Sequence, residues 1–280
     1  MYINKYKNIQ LTKQICKANC ITHSGKFHVD DVISTIFLSK IMDNIVLMRV
    51  ATTENKDLKH KIVYDIGLRR IWSSIGLLWK KLGRKYLEKL DIKYIDETFE
   101  YMDKELIQYI DATDNMQIEY LENKISPDFI KLCNPQWNEN ISEDEAFINA
   151  LKLADEFWNI YIKHAIAEVE AIKIILDKID KSKDCYIIFD KEMPYRKAIK
   201  FVPNNKVKYI IFKSRREGYD IRTIINSCEF KKEIVQEKDI NISRKLTEVK
   251  DLIYVDVHGK LCCTKTLEGA IKLVKYNELE

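Results

Sequence analysis

The densest group of side chains that can bind a metal lies near the start of the chain, in the run THSGKFHVDD at residues 22–31. His23 and His28 offer imidazole nitrogens, while Asp30 and Asp31 offer carboxylate oxygens. Mixed nitrogen and oxygen ligands suit Mn²⁺, Fe²⁺ or Zn²⁺, whereas Mg²⁺ takes mostly oxygen ligands. These residue types therefore predict a divalent-metal site, and the alternative is a solvated loop with two incidental histidines.

Three further aspartates would add oxygen ligands to such a site. Asp65 lies at the end of an apolar run, and Asp111 and Asp114 flank a short turn. Each position taken alone is typical of a helix cap or a turn residue. Taken together, the three carboxylates would supply several oxygen ligands around two metal ions.

The pattern of apolar residues predicts a parallel α/β sheet that would bring these groups together. Three short segments have the composition of strands: residues 20–23, 45–50 and 62–66. Between the first two, apolar positions from Phe27 to Met42 follow helical spacing. Strand–helix–strand alternation favours parallel strands, and such sheets form their sites at the carboxyl ends of the strands. Because His23 and Asp65 lie at such ends, we expect them at one edge of the sheet.

The whole sequence is predicted to contain four parts: a polar N-terminal extension (1–19), a metal-binding domain (20–141), a helical connector (142–182) and a C-terminal α/β domain (183–280). The connector begins with a capping-box pattern at Ser142 and Glu145 and continues as an apolar stripe towards Ile179. One helix of that length would be about 50 Å long, and the alternative is a broken pair of helices. Short apolar strand candidates and a closing helix after Lys183 predict the smaller α/β domain.

The composition is that of a globular chain of 280 residues, with 46% apolar and 32% charged residues. Its net charge of +4 is too small to predict nucleic-acid binding from composition alone. The seven cysteines are odd in number and form no C-x-x-C pair, which predicts reduced thiols and a cytoplasmic protein. No segment has the length and apolarity of a membrane span, and the first residues lack the apolar centre of a secretory signal.

The segment from Thr22 to Val32 resembles the opening motif of the melanocyte-proliferating-gene family of metal-dependent protein hydrolases, which itself resembles the DHH phosphoesterase superfamily. The resemblance extends over most of the chain from residue 21. Five further segments carry it: VYDIG at 63–67, GLLW at 76–79, IDATDN at 110–115, NPQW at 134–137 and KTLEGAI at 265–271.

The resemblance implies a DHH-phosphoesterase-like N-terminal domain that binds two divalent ions, Mn²⁺ or Mg²⁺. The implied ligands are His23, His28, Asp30, Asp65 and either Asp111 or Asp114. Asp65 would lie between the two metals and act as the catalytic residue. The implied activity is phosphodiester hydrolysis, in which a metal-activated water attacks phosphorus. Because eukaryotic relatives are associated with exonucleolytic RNA processing, the implied partner is single-stranded RNA or a small phosphodiester.

The same resemblance implies that part of the C-terminal domain faces the substrate, namely Arg215, Arg216, Gly218, Lys265 and Gly269. Arginine can hold a phosphate through two parallel hydrogen bonds, and glycine permits a close approach of the backbone. His258 lies in the same domain and is a further candidate for substrate contact. The alternatives are a basic surface loop without function and, for His258, an ordinary turn.

The sequence departs from the family at the third motif, Asp-His-His, because it contains no two adjacent histidines. Only residues 68–78 separate Gly67 from Trp79, and GLLW already resembles the segment that follows the missing motif. The simplest interpretation is a deletion. Losing a metal ligand costs more than the roughly 10- to 100-fold typical of outer-shell changes. We therefore predict a damaged two-metal site that holds one ion or none.

Neither of two other histidines is expected to replace the missing motif. A strand of five residues spans about 16 Å, so His60 would lie at the opposite end of the strand from Asp65. His164 lies within the long predicted helix and is expected to be structural.

Three functions are compatible with these observations. The first is an active metal-dependent phosphodiesterase or exonuclease of the family, and the second is an inactive member that acts as a binding or regulatory module. The third is a single-metal hydrolase built on His23, His28 and Asp30. A homo-oligomer is compatible with all three.

Overall fold

The computed structural model describes seven stretches of the chain: residues 5–54, 58–66, 73–114, 126–201, 207–224, 229–237 and 239–279. The chain divides into two compact units, Met1–Val169 and Glu170–Glu280. Each unit combines a five-stranded sheet with helices. The predicted α/β class is therefore confirmed, and both sheets are mixed.

The sheet of the first unit carries the candidate site at one edge. Its strands are β1 (Lys5–Tyr6), β2 (Ile9–Leu11), β3 (Cys20–His23), β4 (Ile45–Val50) and β5 (Ile62–Val63). They lie in the order β1-β2-β4-β3-β5, and β1 is antiparallel to its neighbour while the other pairs are parallel. Because β3 pairs with both β4 and β5, the carboxyl ends of these three strands meet at one edge.

Residues 5–6 and 9–11 join this sheet, so this part of the polar extension predicted over 1–19 belongs to the folded unit. Ile9 and Leu11 are buried, while Gln10 between them is exposed. This alternation is that of a strand with one face on a core. Three alternating residues among lysines and asparagines are too short a pattern to identify a strand from sequence.

The helices of the first unit pack around the larger of its two apolar clusters. They are α1 (Val29–Ser39), α2 (Ser74–Glu88), α3 (Ile95–Met102), α4 (Gln108–Asp114) and the first part of α5 (Glu143–Lys181). A π-helical turn (Asp103–Ile107) joins α3 to α4, and a 3-10 helix (Asp128–Cys133) precedes α5. α5 is one helix of 39 residues, as the apolar stripe predicts.

Aromatic side chains from α1, α2, α3 and α5 form the centre of this core. Phe37, Trp79, Tyr86, Phe99 and Trp158 contact one another with ring centroids 5.3 to 6.0 Å apart. The indole N–H of Trp158 donates to the hydroxyl of Tyr86 at 3.0 Å. The aromatic stripe of α5 is therefore a packing face that holds the helices around the sheet.

The second unit contains a sheet that is parallel at one edge and antiparallel elsewhere. Its strands are β6 (Tyr186–Phe189), β7 (Tyr209–Lys213), β8 (Tyr219–Thr223), β9 (Leu252–Val255) and β10 (Leu261–Thr264), in the order β6-β7-β8-β10-β9. Its other helices are α6 (Lys232–Val235), α7 (Ile240–Thr247) and α8 (Leu267–Glu278).

The division between the two units falls inside α5, between Val169 and Glu170. This helix therefore contributes residues to both units, and the boundaries predicted at 141/142 and 182/183 stay predictions. Within the described stretches, no helix is long and apolar enough to cross a membrane.

Candidate metal centre

Two strand ends and one helix start deliver the candidate ligands to the same edge of the sheet. His23 is the last residue of β3, and Asp30 lies in the first turn of α1. Asp65 follows β5 by two residues and has a positive φ of 54°, a backbone conformation that aspartate tolerates better than most residues. His28 is the N-cap residue of α1. The sheet edge predicted from sequence therefore brings these four side chains together.

The ligand atoms form two overlapping groups. Atoms of His23, His28 and Asp65 all lie within 4.8 Å of one another, and so do atoms of Asp30, Asp65 and Asp114. Asp65 belongs to both groups. A carboxylate has two oxygens and about four lone-pair sites, so one side chain can contact two cations at once.

Several buried polar atoms at this place lack hydrogen bonds within the described residues. His23 Nδ1 lies 3.1 Å from Asp65 Oδ2 and 3.3 Å from Asp31 Oδ2, yet all three atoms are buried without a well-formed hydrogen bond. Buried polar atoms without partners are uncommon and costly. A divalent cation among them would satisfy these atoms, so the donor set fits a metal.

The carboxylates at this place repel one another. The pKa of Asp30 is raised to about 7, chiefly by burial and next by the neighbouring charge of Asp65, which together outweigh the two backbone N–H donors. Burial also raises the pKa of Asp114, with Asp65 as the next contributor. The pKa of His23 is raised to about 9, chiefly by its contact with Asp65. An array of this kind concentrates negative charge where a cation would relieve the repulsion.

Contacts at the start of α2 distinguish Asp111 from Asp114, the two aspartates that sequence reasoning left as alternative ligands. The backbone N–H groups of Ser74 and Ile75 each donate to Asp30 at 2.8 Å. The N–H of Ser73 donates to Asp111. Both aspartates lie in α4, and the segment between them is helical and not a short turn. Asp111 binds Ser73, the N-cap residue of α2, and Asp114 is the one that joins the acidic group. Each oxygen of Asp30 keeps a second lone pair for a metal.

The loop between His23 and His28 is held from two sides. Asn134 accepts from the N–H of Phe27 at 3.0 Å and donates to its carbonyl at 2.9 Å. Arg49 donates to the carbonyl of Gly25 at 2.8 Å, and Glu143 accepts from the N–H of Gly25 at 3.0 Å. Asn134 lies in the NPQW segment that carried the resemblance. Arg49 was missed, although an arginine in the apolar run of β4 was a visible signal.

The other two histidines of the first unit lie away from the centre. His60 is exposed, precedes β5 and has a positive φ of 61°. His164 lies on α5, with a side chain 44% exposed and 4.0 Å from Glu168. Neither replaces the missing Asp-His-His motif. The gap predicted between Gly67 and Trp79 falls largely on residues 67–72, which lie outside the described residues.

In the second unit, two of the predicted glycines are required by close packing. Gly218 has a φ of 72°, and a side chain there would lie 2.0 Å from the carbonyl oxygen of Thr264 and 2.9 Å from Cα of Lys265. A side chain at Gly269 would lie 2.2 Å from a carboxylate oxygen of Asp251. The structure therefore brings Gly218 and Lys265 together, and it assigns both glycines a packing role.

The predicted side chains of this unit lie on its surface. The side chain of Arg215 is 81% exposed, with Nε 3.1 Å from Glu192, and Arg216 is also exposed. His258 is exposed in a turn, where its N–H donates to Asp256 at 3.1 Å. It precedes β10, whereas Lys265 follows that strand, so the two lie at opposite ends of it. The substrate contacts of these residues stay predictions.

Comparisons with known proteins agree with the motifs. The model of an uncharacterised protein family, MYG1_exonuc (UPF0160), matches residues 68–277. The MYG1 protein C694.04c of Schizosaccharomyces pombe is 19% identical, and the alignment covers 91% of this chain and 95% of that protein. It extends over 311 residues, more than this chain contains, so part of it has no counterpart here. No solved structure matches significantly. Because the family model matches well over half of the chain, the chain belongs to the MYG1_exonuc family, as the resemblance to the melanocyte-proliferating-gene family predicted.

Proposed function

We propose that this chain is a metal-dependent phosphodiesterase of the exonuclease type, with a DHH-phosphoesterase-like layout around its candidate metal centre. The observation that supports this most directly is the position of Asp65, which belongs to both groups of ligand atoms. Its buried oxygen and the facing nitrogen of His23 lack hydrogen bonds within the described residues. A bound cation would give these two atoms the partner that they lack.

The two groups of ligands differ in chemistry. His23, His28 and Asp65 form a mixed nitrogen and oxygen set, which suits Mn²⁺ better than Mg²⁺. Asp30, Asp65 and Asp114 form an all-oxygen set, which suits either ion. When bound, such a pair of ions activates a water molecule and stabilises the attacking and leaving oxygens of a phosphodiester. The chain's own contribution is to fix the distance between the two sets through Asp65.

The loop contacts described above support this role of positioning. Asn134 and Arg49 hold the backbone between the two histidines, and the start of α2 holds Asp30. Metal ligands need such support, because the loss of an outer partner typically costs about 10- to 100-fold in affinity or activity. We propose single-stranded RNA or a small phosphodiester as the substrate, as the family resemblance implies.

The absent Asp-His-His motif favours a second candidate function. A family member without that motif lacks one ligand and one imidazole, and it would bind a phosphodiester without cleaving it. The longer alignment with the relative from Schizosaccharomyces pombe is compatible with a loss of residues from this chain. In this case the protein is a binding or regulatory module. If the site still holds one ion, the alternative is a weak single-metal hydrolase.

One experiment separates these functions. The full chain is loaded with Mn²⁺, the bound metal is measured by elemental analysis, and cleavage of a short labelled single-stranded RNA is followed on a denaturing gel. The variant Asp65→Asn tests the shared ligand, and Asp43→Asn, at an exposed surface aspartate, is the matched control.

For the active phosphodiesterase we expect two ions and cleavage in the unaltered chain and in Asp43→Asn, and loss of both in Asp65→Asn. The missing Asp-His-His motif instead predicts one ion or none and little cleavage. Bound Mn²⁺ without cleavage would instead establish the binding module. One ion with cleavage would support the single-metal hydrolase, and no bound metal would exclude both hydrolases but not the binding module, which needs no ion.

A further inference from the structure

A small cleft opens beside the candidate metal centre in the first unit. It has a volume of about 180 Å³, and its lining includes His28, Asp30, Asp114 and Lys131. Val29 and Ile110 form part of its wall. Among the described residues that line it, Lys131 is the one lysine or arginine. From this placement we infer that Lys131 is a substrate-binding residue that holds a phosphate group of the substrate against the metal centre, an inference that rests on the proposed function.

The ammonium group of Lys131 is fixed in place by a separate carboxylate. Its Nζ lies 2.5 Å from Oδ1 of Asp128. Asp128 in turn accepts from the hydroxyl of Tyr109 at 2.8 Å and from that of Ser126 at 2.5 Å. Lys131 lines the cleft and Asp128 does not, so the cationic member of this ion pair is the one that borders it. An ammonium group has three donors, which leaves others for a ligand.

Lys131 does not act as the counter-ion of the acidic ligands. Among the described residues, no ion pair within 4.0 Å joins it to Asp30 or Asp114, although all three line the same small cleft. A lysine that only neutralised those carboxylates would contact them directly. The ammonium group pairs with Asp128 instead, so an anion in the cleft would be an additional partner for it.

The cleft and the ligand loop are mechanically connected. Lys131 lies on the 3-10 helix Asp128–Cys133. Asn134, the residue that follows this helix, makes two hydrogen bonds to the backbone of Phe27. Phe27 immediately precedes the candidate ligand His28. The distance between the ammonium group and the centre is therefore set by a short, hydrogen-bonded segment.

The size and charge of the cleft indicate what it binds. A volume of about 180 Å³ is below the roughly 300–1,000 Å³ of sites for drug-sized ligands. It suits one phosphate group better than a whole nucleotide. Lysine holds phosphate as a point charge and without the two-pronged geometry of arginine. Lys131 would accordingly bind the phosphodiester without reading the base, as a sequence-independent exonuclease requires.

The test measures binding and not cleavage. Dimethyl phosphate is an anionic phosphodiester that carries no base, and trimethyl phosphate is its neutral analogue. Binding of each to the Mn²⁺-loaded full chain is followed by broadening of the phosphorus NMR signal. The variants are Lys131→Met, which removes the charge, and Lys131→Arg, which keeps it. Lys163→Met, at an exposed lysine of α5, is the matched control. Bound Mn²⁺ and the melting temperature are measured for each protein.

We expect Lys131→Met to bind dimethyl phosphate about tenfold or more weakly, because a hydrogen bond to a charged group is lost. Its bound Mn²⁺ should be unchanged, and Lys131→Arg and Lys163→Met should stay within about threefold of the unaltered chain. Trimethyl phosphate should bind weakly to every variant. If Lys131→Met retains Mn²⁺ and binds dimethyl phosphate as tightly as the unaltered chain does, the role of Lys131 is overturned while the proposed function is not. A loaded but unaltered chain that binds no dimethyl phosphate would overturn the proposed function together with this inference.

Discussion

Asp65 illustrates how a single backbone conformation can define a site. Its φ of 54° turns the chain immediately after β5, and its N–H donates to the hydroxyl of Ser74 at 2.7 Å. Residues in the left-handed region are uncommon outside glycine and concentrate at functional sites. In this turn Asp65 Oδ2 lies 3.1 Å from Nδ1 of His23 at the end of the neighbouring strand β3, whereas side chains of an extended strand stand above or below the sheet. The conformation is therefore part of the argument for a shared ligand.

At the residue scale, the clearest prediction separates Asp114 from Asp111. We expect Asp114→Asn to lower Mn²⁺ affinity about tenfold or more, because it removes a charged ligand of the acidic group. Asp111→Asn keeps the oxygen that accepts from Ser73, so we expect its Mn²⁺ affinity to change less than about threefold. Calorimetric titration of both variants with Mn²⁺ measures the difference. An equal loss in Asp111→Asn would show that both aspartates bind the metal.

At the scale of elements, the sequence identified those strands whose apolar runs are long enough to be distinctive. β3 and β4 begin and end where they were predicted, over residues 20–23 and 45–50. β8 was missed because Tyr219–Thr223 mixes charged and apolar residues after a basic loop. The strand predicted over 62–66 ends at Val63, because Asp65 takes a turn conformation.

The candidate site was predictable in its members but not in its geometry. Residue types and strand ends indicated that His23 and Asp65 would meet. Nothing in the sequence indicated that Asp30 would bind the start of α2, because Ser74 lies 44 residues away. That contact depends on how α2 packs against α1, which is a property of the core. Local patterns do not carry such information.

Gly83, inside α2, lies where α2 packs closely against α3 in this core. A side chain at Gly83 would lie 2.8 Å from the ring of Trp79 and 2.9 Å from that of Phe99, and these two rings stack with centroids 5.3 Å apart. Alanine favours a helix by about 1 kcal/mol over glycine. Overpacking costs about 1–3 kcal/mol. We therefore expect Gly83→Ala to destabilise the protein, by about 1 kcal/mol, in urea unfolding.

The control for this prediction removes one of the two obstructing rings. In a Phe99→Leu background only the ring of Trp79 still crowds Gly83, so the same Gly83→Ala change should be less destabilising than in the unaltered chain. Lys81→Ala, on the exposed side of α2, should change the free energy of unfolding by less than about 0.5 kcal/mol. Destabilisation by Gly83→Ala that persists unchanged in the Phe99→Leu background would show that the contact with Phe99 is not its cause.

At the scale of the whole molecule, a buried carboxylate joins the N-terminal strands to two helices of the first unit. The side chain of Asp155, on α5, is 2% exposed. It accepts from the hydroxyl of Tyr6 at 2.9 Å and from the ammonium groups of Lys7 and Lys40. These contacts explain why residues 5–11 belong to the folded unit. They also connect the start of the chain to a helix about 150 residues later, as only tertiary structure can.

The same carboxylate gives the protein a pH-dependent stability. Burial would raise the pKa of Asp155, but hydrogen bonds from Lys40, Lys7 and Tyr6 outweigh it and hold the pKa below its ordinary value of 3.8. A lowered pKa stabilises the folded state above the unfolded value, and this stabilisation is lost as the pH falls through the folded value. The contribution of Asp155 should therefore be complete near neutral pH and should disappear below about pH 4.

We expect Asp155→Asn to lower the free energy of unfolding by about 3 kcal/mol at neutral pH, because it leaves two ammonium groups without their buried partner. The value lies at the lower end of the range for buried pairs, since the side chain of Lys7 is 58% exposed and can be solvated. Asp96→Asn is the control, because Asp96 pairs with Arg84 at the surface and such pairs contribute under about 1 kcal/mol. Urea unfolding of the three proteins from about pH 3 to pH 7 measures the difference. The difference in the free energy of unfolding between Asp155→Asn and the unaltered chain should decrease as the pH falls. A difference that stays constant would show that the charge of Asp155 is not what stabilises the fold.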